Sequence, residues 1–400
     1  MQLSQRTLVV ARVGITQTLA WASSYYLPAM LAIPMARDLG VSVPTVFAAF
    51  SAALIVSALF GPFAGRAIDR YGGRPILCTS NVVFATGLLA LSQAQGPLSL
   101  FAAWLLLGAG MGSGLYEAAF ATLVRLYGQS ARSAITGVTL FAGFASTVGW
   151  PLSICLEPVV GWRGACLTWA ALHIVLALPI NISLPKTVTV TKDLSPTVDT
   201  TLNDVPQDVQ PPKPAPAGAA KLLALVFAMT WFTSTAMAAH LPRLLESTGI
   251  TLAAAVAISA LVGPAQVGAR LLEFGLLRRY HPLLSAQLAS LAHPVGATVL
   301  LLIGGPAAVV FAMLHGAGNG IMTIAMGTLP LMIFGPQGYG GKQGLLMVPA
   351  RLLQALAPFL FGLLIDRWGS NALWVSGVTG IVSFTALWWL ARAQRTAPER

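Results

Sequence analysis

Charge is what this chain has little of. Lys, Arg, Asp and Glu make up 9% of its 400 residues, where soluble domains carry about 25%. Hydrophobic residues make up 56%. So few charges cannot cover an aqueous surface, which points to an integral membrane protein with several spans. Cysteine is scarce too: Cys78, Cys155 and Cys166 all lie in or beside apolar runs. With no CxxC and no His/Cys cluster, neither a disulfide framework nor a zinc site is expected. The P-loop, G-x-S-x-G and HExxH patterns are missing, which argues against an ATP-driven pump and against an enzyme. No cofactor is implied.

What is present is apolar length. Twelve segments reach the roughly 20 residues that a helical span needs, from 9–33 to 371–392. The formal charge of +11 does not mark a nucleic-acid binder, because the basic residues sit in short breaks between apolar runs. With the N-terminus inside, those breaks put Arg66, Arg70, Arg74, Arg125, Arg132, Lys192, Lys213, Arg278, Arg279 and Arg400 on one side. Only Arg37, Arg163, Arg243 and Arg367 fall on the other. That asymmetry places both termini in the cytoplasm, in a multi-pass protein of a bacterial-type inner membrane.

The longest polar stretch is rich in proline and divides the spans six and six, which reads as a flexible linker. The expected organisation is an N-terminal six-helix half at 1–185, a cytoplasmic linker at 186–217 and a C-terminal six-helix half at 218–400. A parallel repeat is visible across it: Pro151 aligns with Pro358, and Gly161-Trp162 with Trp368-Gly369, near one offset.

The most specific stretch is GRAIDRYGGRP, Gly65 to Pro75. Gly65 allows close helix approach. Asp69, at a helix end, can pair with cations or cap a neighbouring helix N-terminus in one conformation. With Gly65, Asp69, Arg70, Gly72 and Arg74, the stretch resembles the G-x-x-x-D-R-x-G-R-[RK] loop of the major facilitator superfamily. That resemblance covers the whole chain. It implies an all-α fold of twelve transmembrane helices in two pseudo-symmetric halves, alternating access, and these five residues as part of a conformational latch.

Ionisable residues deep in a span cost at least about 2.5–3.5 kcal/mol on insertion scales, so each needs a reason. Arg270 lies roughly 7 Å from the middle of the eighth segment and Arg351 roughly 5 Å from that of the eleventh, both toward the cytoplasm. If both face a cavity they form a cationic clamp for a carboxylate. The blander readings pair Arg270 with Glu273 at i,i+3 and let Arg351 snorkel to the surface. This pair of arginines resembles the oxalate–formate exchanger and monocarboxylate transporter branch of the superfamily. The resemblance also implies a substrate-facing role for Tyr116. Gln266 stands where animal monocarboxylate members carry an aspartate.

Gln17, Trp21 and Tyr25 of the first segment are further lining candidates, as are His315 and Asn319, one turn apart on the tenth. Glu117 and Glu273 are candidates for proton coupling. Arg12 reads as an interfacial anchor. The expected function is secondary active transport of a small organic anion, a mono- or dicarboxylate, as proton symport or anion exchange, by a monomer. The competing reading, efflux of drugs or other hydrophobic compounds, needs an acidic, aromatic cavity, whereas the inferred one is basic.

Overall fold

The computed structural model describes residues 5–186, 215–276 and 279–396. Most of the expected linker, 187–214 with Lys192 and Lys213, lies outside the described residues, as do Arg278 and Arg400. The described residues form sixteen α-helices and no strand. In the first segment these are α1 (Gln5–Ser23), α2 (Leu27–Asp38), α3 (Val43–Tyr71), α4 (Gly73–Ser92), α5 (Pro97–Gly114), α6 (Tyr116–Tyr127), α7 (Arg132–Ala142), α8 (Ala145–Leu172, broken at Gly161) and α9 (Leu178–Ile182). After the polar stretch come α10 (Ala219–Glu246), α11 (Leu252–Ser259), α12 (Val262–Gly275), α13 (Pro282–Ile303), α14 (Ala308–Phe334), α15 (Tyr339–Trp368) and α16 (Leu373–Thr396).

Among the described residues eight helical runs are long and apolar enough to cross a membrane; three of them, 97–182, 252–275 and 339–395, each contain more than one α-helix. A helix satisfies its own backbone polar groups, which is what a lipid environment demands. Large apolar side chains such as Leu98, Val159, Leu302 and Phe359 point outward. In a membrane protein that surface meets acyl chains rather than water. This is a multi-pass membrane protein.

Helix starts follow ordinary capping chemistry. Ser42 accepts from the Thr45 N–H at the start of α3, and Thr251 from the Ala254 N–H at the start of α11. Several apolar runs are nonetheless broken: at Ser24–Tyr26 between α1 and α2, at Leu115 between α5 and α6, and at Ala260–Leu261 between α11 and α12. Leu115 is extended, with φ −86° and ψ −162°. The chain therefore turns without losing hydropathy.

One core cluster gathers residues from both sides of the polar stretch, and a second is built only from residues after it, Phe232 to Leu373. Glycines with left-handed φ recur in pairs: Gly40 with Gly249, Gly128 with Gly335, and Gly161 with Gly369. Each pair is separated by 207 to 209 residues. Most close or follow a helix, where a side chain would be strained.

The segments before and after the polar stretch meet most intimately where α3 packs on α15. A Cβ placed on Gly65 would collide with the Gly340 backbone, and one on Gly344 with Gly61 and Pro62. Small residues let the two backbones touch.

Candidate functional site

Three sets of polar residues sit inside this apolar bundle. The first is at the α3–α15 contact. The Asp69 carboxylate accepts from the Gly340 N–H at 2.9 Å and the Gly341 N–H at 2.8 Å. These are first-turn donors of α15, which have no partner within their own helix. A carboxylate there also meets the positive end of the helix dipole. Gly72 (φ 86°) forms the single-residue turn from α3 into α4. Arg70 is exposed, with its guanidinium 5.1 Å from the Tyr71 ring, and Arg74 opens α4 half-buried. A second tie joins the same segments: Arg132 of α7 donates to Glu273 of α12 at 3.1 Å and to the Tyr280 carbonyl at 3.3 Å.

The second set is central. Arg351 of α15 and Glu117 of α6 form a buried ion pair, with Nη2 2.8 Å from Oε1 and 3.1 Å from Oε2. Arg351 Nη1 donates to Gln354, which in turn donates to the Tyr25 hydroxyl. The guanidinium lies 5.0 Å from the Trp231 ring and 5.9 Å from that of Trp21. Trp21 and Trp231 stack within 4° of parallel, and Trp21 also packs on Tyr116 at 4.8 Å. Both indole N–H groups are buried without a partner among the described residues. Gln17 donates to the Gly114 carbonyl at 2.6 Å, an acceptor at the Leu115 break, and its own Oε1 has no partner. A cavity of about 220 Å³ reaches the Arg351–Glu117 pair between α3, α5 and α15.

Arg270, of α12, is buried beside this set. Its Nη1 donates to the Thr139 carbonyl at 2.9 Å and its Nε to the Gly320 carbonyl at 3.5 Å, and Tyr116 lies near it. The path from one arginine to the other therefore runs Arg351, Trp21, Tyr116, Arg270. Among the described residues no carboxylate pairs with Arg270, whereas Arg132, Arg163, Arg243 and Arg351 each hold one.

Two expectations need correction here. Glu273 does not pair with Arg270 at i,i+3. The Arg270 side chain donates to the Thr139 carbonyl of α7 and the Gly320 carbonyl of α14, and Glu273 meets Arg132 one turn further along. The two arginines do not stand as two free cations either, since Glu117 neutralises Arg351 rather than leaving it to snorkel. Arg12 donates to the Ser183 carbonyl at 2.9 Å.

The third set is a separate cavity of about 390 Å³ between α10, α13, α14 and α16. His315 and Asn319 line it together with His293, and neither Arg270 nor Arg351 does. Sequence reasoning passed over His293, Gln354 and Arg132. A histidine within the apolar run of α13 is the signal that could have found the first.

Among known proteins, 159 residues of this chain are 27% identical to part of the 4-hydroxybenzoate transporter PcaK of Pseudomonas putida. The match covers 39% of this chain and 35% of that relative, so it spans about a third of the relative's length. Three solved structures share the fold. The human organic anion transporter MFSD10 (TETRAN) has a TM-score of 0.75 at 16% identity, over 96% of this chain and 100% of its own. The Major Facilitator Superfamily transporter FucP, in the outward conformation, scores 0.72 at 14% identity, over 97% and 99%. The proton:xylose symporter XylE scores 0.72 at 12%, over 99% and 96%. Family and structural neighbours alike are transporters rather than enzymes. Residues 13–306 match the family described as the Major Facilitator Superfamily, and the chain belongs to that family of membrane transporters.

Proposed function

We propose that this transporter carries a small organic anion, a carboxylate, by alternating access. One observation carries the proposal: Arg270 is a buried guanidinium with no carboxylate partner among the described residues. An uncompensated buried charge is costly, and breaking a buried pair costs about 3–5 kcal/mol elsewhere. An anionic substrate supplies the missing charge, and guanidinium suits a carboxylate through paired donors. Tyr116 stands near it, and Trp21, packed on Tyr116, continues the wall to Trp231 and Arg351. Arg351, already neutralised by Glu117, adds the face of its guanidinium to this aromatic wall.

The aromatic lining favours an aromatic monocarboxylate. The partial similarity to a 4-hydroxybenzoate transporter and the shared fold of an organic anion transporter agree with that class.

The same reading takes the sixteen helices as twelve spans in two six-helix halves, 1–185 and 218–400, with both ends of the chain cytoplasmic. Paired helix-ending glycines some 207 to 209 residues apart support the repeat. Asp69 with Gly65, Arg70, Gly72 and Arg74, and the Arg132–Glu273 pair, then form the closed cytoplasmic gate. Opening it requires that the α15 N-terminus lose its carboxylate cap.

The test is uptake into proteoliposomes of radiolabelled 4-hydroxybenzoate, benzoate and aliphatic mono- and dicarboxylates, by wild type and Arg270→Gln. Saturable carboxylate flux should fall by about 100-fold in the variant, equivalent to roughly 2.7 kcal/mol. Undiminished flux in Arg270→Gln, or wild-type transport of lipophilic cations alone, would refute the reading.

A further inference from the structure

The cavity between α10, α13, α14 and α16 contains a second titratable centre. His293 Nδ1 and His315 Nδ1 are 2.9 Å apart, both rings are buried, and Phe311 packs against both. A hydrogen bond between two Nδ1 atoms requires one ring to donate and the other to accept. In a neutral imidazole the ring that carries its hydrogen on Nδ1 has a bare Nε2 lone pair. The accepting ring carries its hydrogen on Nε2. Whichever way the bond runs, the pair has one vacant Nε2, and His293 Nε2 is buried without a partner among the described residues.

The walls prepare the site for positive charge. Thr230, Ser290 and Ser383 each give their hydroxyl hydrogen to a carbonyl of their own helix, at 2.7 to 2.9 Å, and Thr379 does the same with Ser376. With their hydrogens given away, those hydroxyls have only lone pairs to offer, and Thr379 spends one of them on the Thr233 hydroxyl. Asn319 adds an amide. Among the described residues no carboxylate, lysine or arginine lines the space.

We infer that the His293–His315 pair is the proton-carrying site of the transport cycle, separate from the anion site at Arg270. The inference rests on the transport reading above. The step is a protonation: one proton enters the vacant Nε2 lone pair and gives an imidazolium, with the Nδ1···Nδ1 hydrogen bond kept. A second proton would break that bond, so the pair carries one. Glu117, the carboxylate of the central set, and Glu273, that of the gate, are engaged with Arg351 and Arg132.

The surroundings leave the pair to titrate largely alone. From α10 and α16 the cavity receives Thr230, Thr233, Thr379 and Ser383, none of them charged. From α12, the Gln266 backbone packs at Gly320 and Arg270 donates to its carbonyl, more than one turn beyond His315, while nearer the pair Val262 and Ala265 pack at Gly316. Tyr339 of α15 touches α14 still further on, at Gly327, where Phe120 of α6 and Ile135 of α7 also pack. Helix α11 has no ionisable residue. A protonated pair and a bound anion on opposite sides of α14 attract each other, and such coupling is reciprocal, typically worth about 5–150-fold in affinity.

The test uses His293→Asn and His315→Asn, because an asparagine amide can keep the hydrogen bond of Nδ1 but has no basic nitrogen. In proteoliposomes, accumulation of the carboxylate panel driven by an imposed pH gradient should fall by about tenfold or more. Exchange of labelled for unlabelled carboxylate at equal pH should stay within about twofold of wild type. Loss of exchange in parallel with accumulation would overturn the inference, as would retention of both. A second measurement needs no transported substrate: ring-15N histidine spectra of the full chain, followed from about pH 4 to 8. One imidazole of the pair should titrate, assigned by its absence from each variant. If wild type carries no carboxylate, the transport reading fails by itself and the spectra decide. A titrating pair then keeps the proton site, and two rings that stay neutral throughout end it.

Discussion

Arg351 and Glu117 stand 234 residues apart in the chain, yet Arg351 Nη2 donates to both Glu117 carboxylate oxygens, at 2.8 and 3.1 Å. The Arg351 side chain is 3% exposed and that of Glu117 12%. Removing the carboxylate therefore leaves a buried cation. Glu117→Gln should destabilise the folded protein by on the order of 3 kcal/mol, read as a lower Tm in detergent. Glu117→Gln with Arg351→Met should recover part of that loss, because the charges then go together. A Tm unchanged in Glu117→Gln would show that the pair does not hold these helices.

The Asp69 cap leads to a prediction about gating. Hydrogen bonds to charged groups are worth about 1.5–3 kcal/mol. Asp69→Asn should release the α15 N-terminus and shift the population toward the state open at this end. In a chain with Cys78, Cys155 and Cys166 replaced, a cysteine put at Ala58, 2% exposed beside α15, should react with a water-soluble maleimide about 10-fold faster or more in Asp69→Asn than with Asp69 intact. Equal labelling rates in the two backgrounds would mean that the cap does not set the equilibrium.

Gly65 and Gly377 offer a controlled comparison. A Cβ at Gly65 collides with the Gly340 backbone, while one at Gly377, inside α16, meets nothing within 4 Å. Gly377→Ala should be neutral or gain about 0.5–1 kcal/mol from helix entropy. Gly65→Ala should force α3 from α15, lower Tm and raise the Ala58→Cys labelling rate. Equal behaviour of the two variants would refute backbone contact at Gly65.

The unpartnered indoles of Trp21 and Trp231 should matter to substrate more than to fold. Trp21→Phe and Trp231→Phe delete a donor that has no partner among the described residues. Each should raise KM several-fold, by about 1 kcal/mol per lost hydrogen bond, with little change in kcat. A fall in kcat at constant KM would place these rings in the conformational step instead.

Much of the helical layout was legible, because hydropathy over about 20 residues reports lipid-compatible helix directly. The breaks were not. Leu115 and Ala260–Leu261 are themselves apolar, so hydropathy does not mark the bends; the only local signals are Gly112-Ser113-Gly114 before one and Gly263-Pro264 after the other. Depth along a helix could also be read, since rise per residue is fixed, and Arg270 and Arg351 are both buried. Partners could not. Glu273 falls to Arg270 in the sequence because neighbours on one helix are all that a local pattern can offer. Arg132 lies 141 residues from Glu273, and Glu117 is 234 from Arg351; only tertiary packing brings each to its partner. Orphaned donors such as the Trp21 indole are equally invisible, because a missing partner is a property of the packed state.

Arg270 is held by the oxygens of residues 139 and 320, and both are main-chain atoms. Substituting either residue by any other leaves its carbonyl in place. Tyr116, Trp21 and Trp231 present themselves only through side chains, so each can be exchanged by a single codon change. A lineage of such proteins can therefore diversify what its cargo looks like while the sign of the cargo's charge stays fixed.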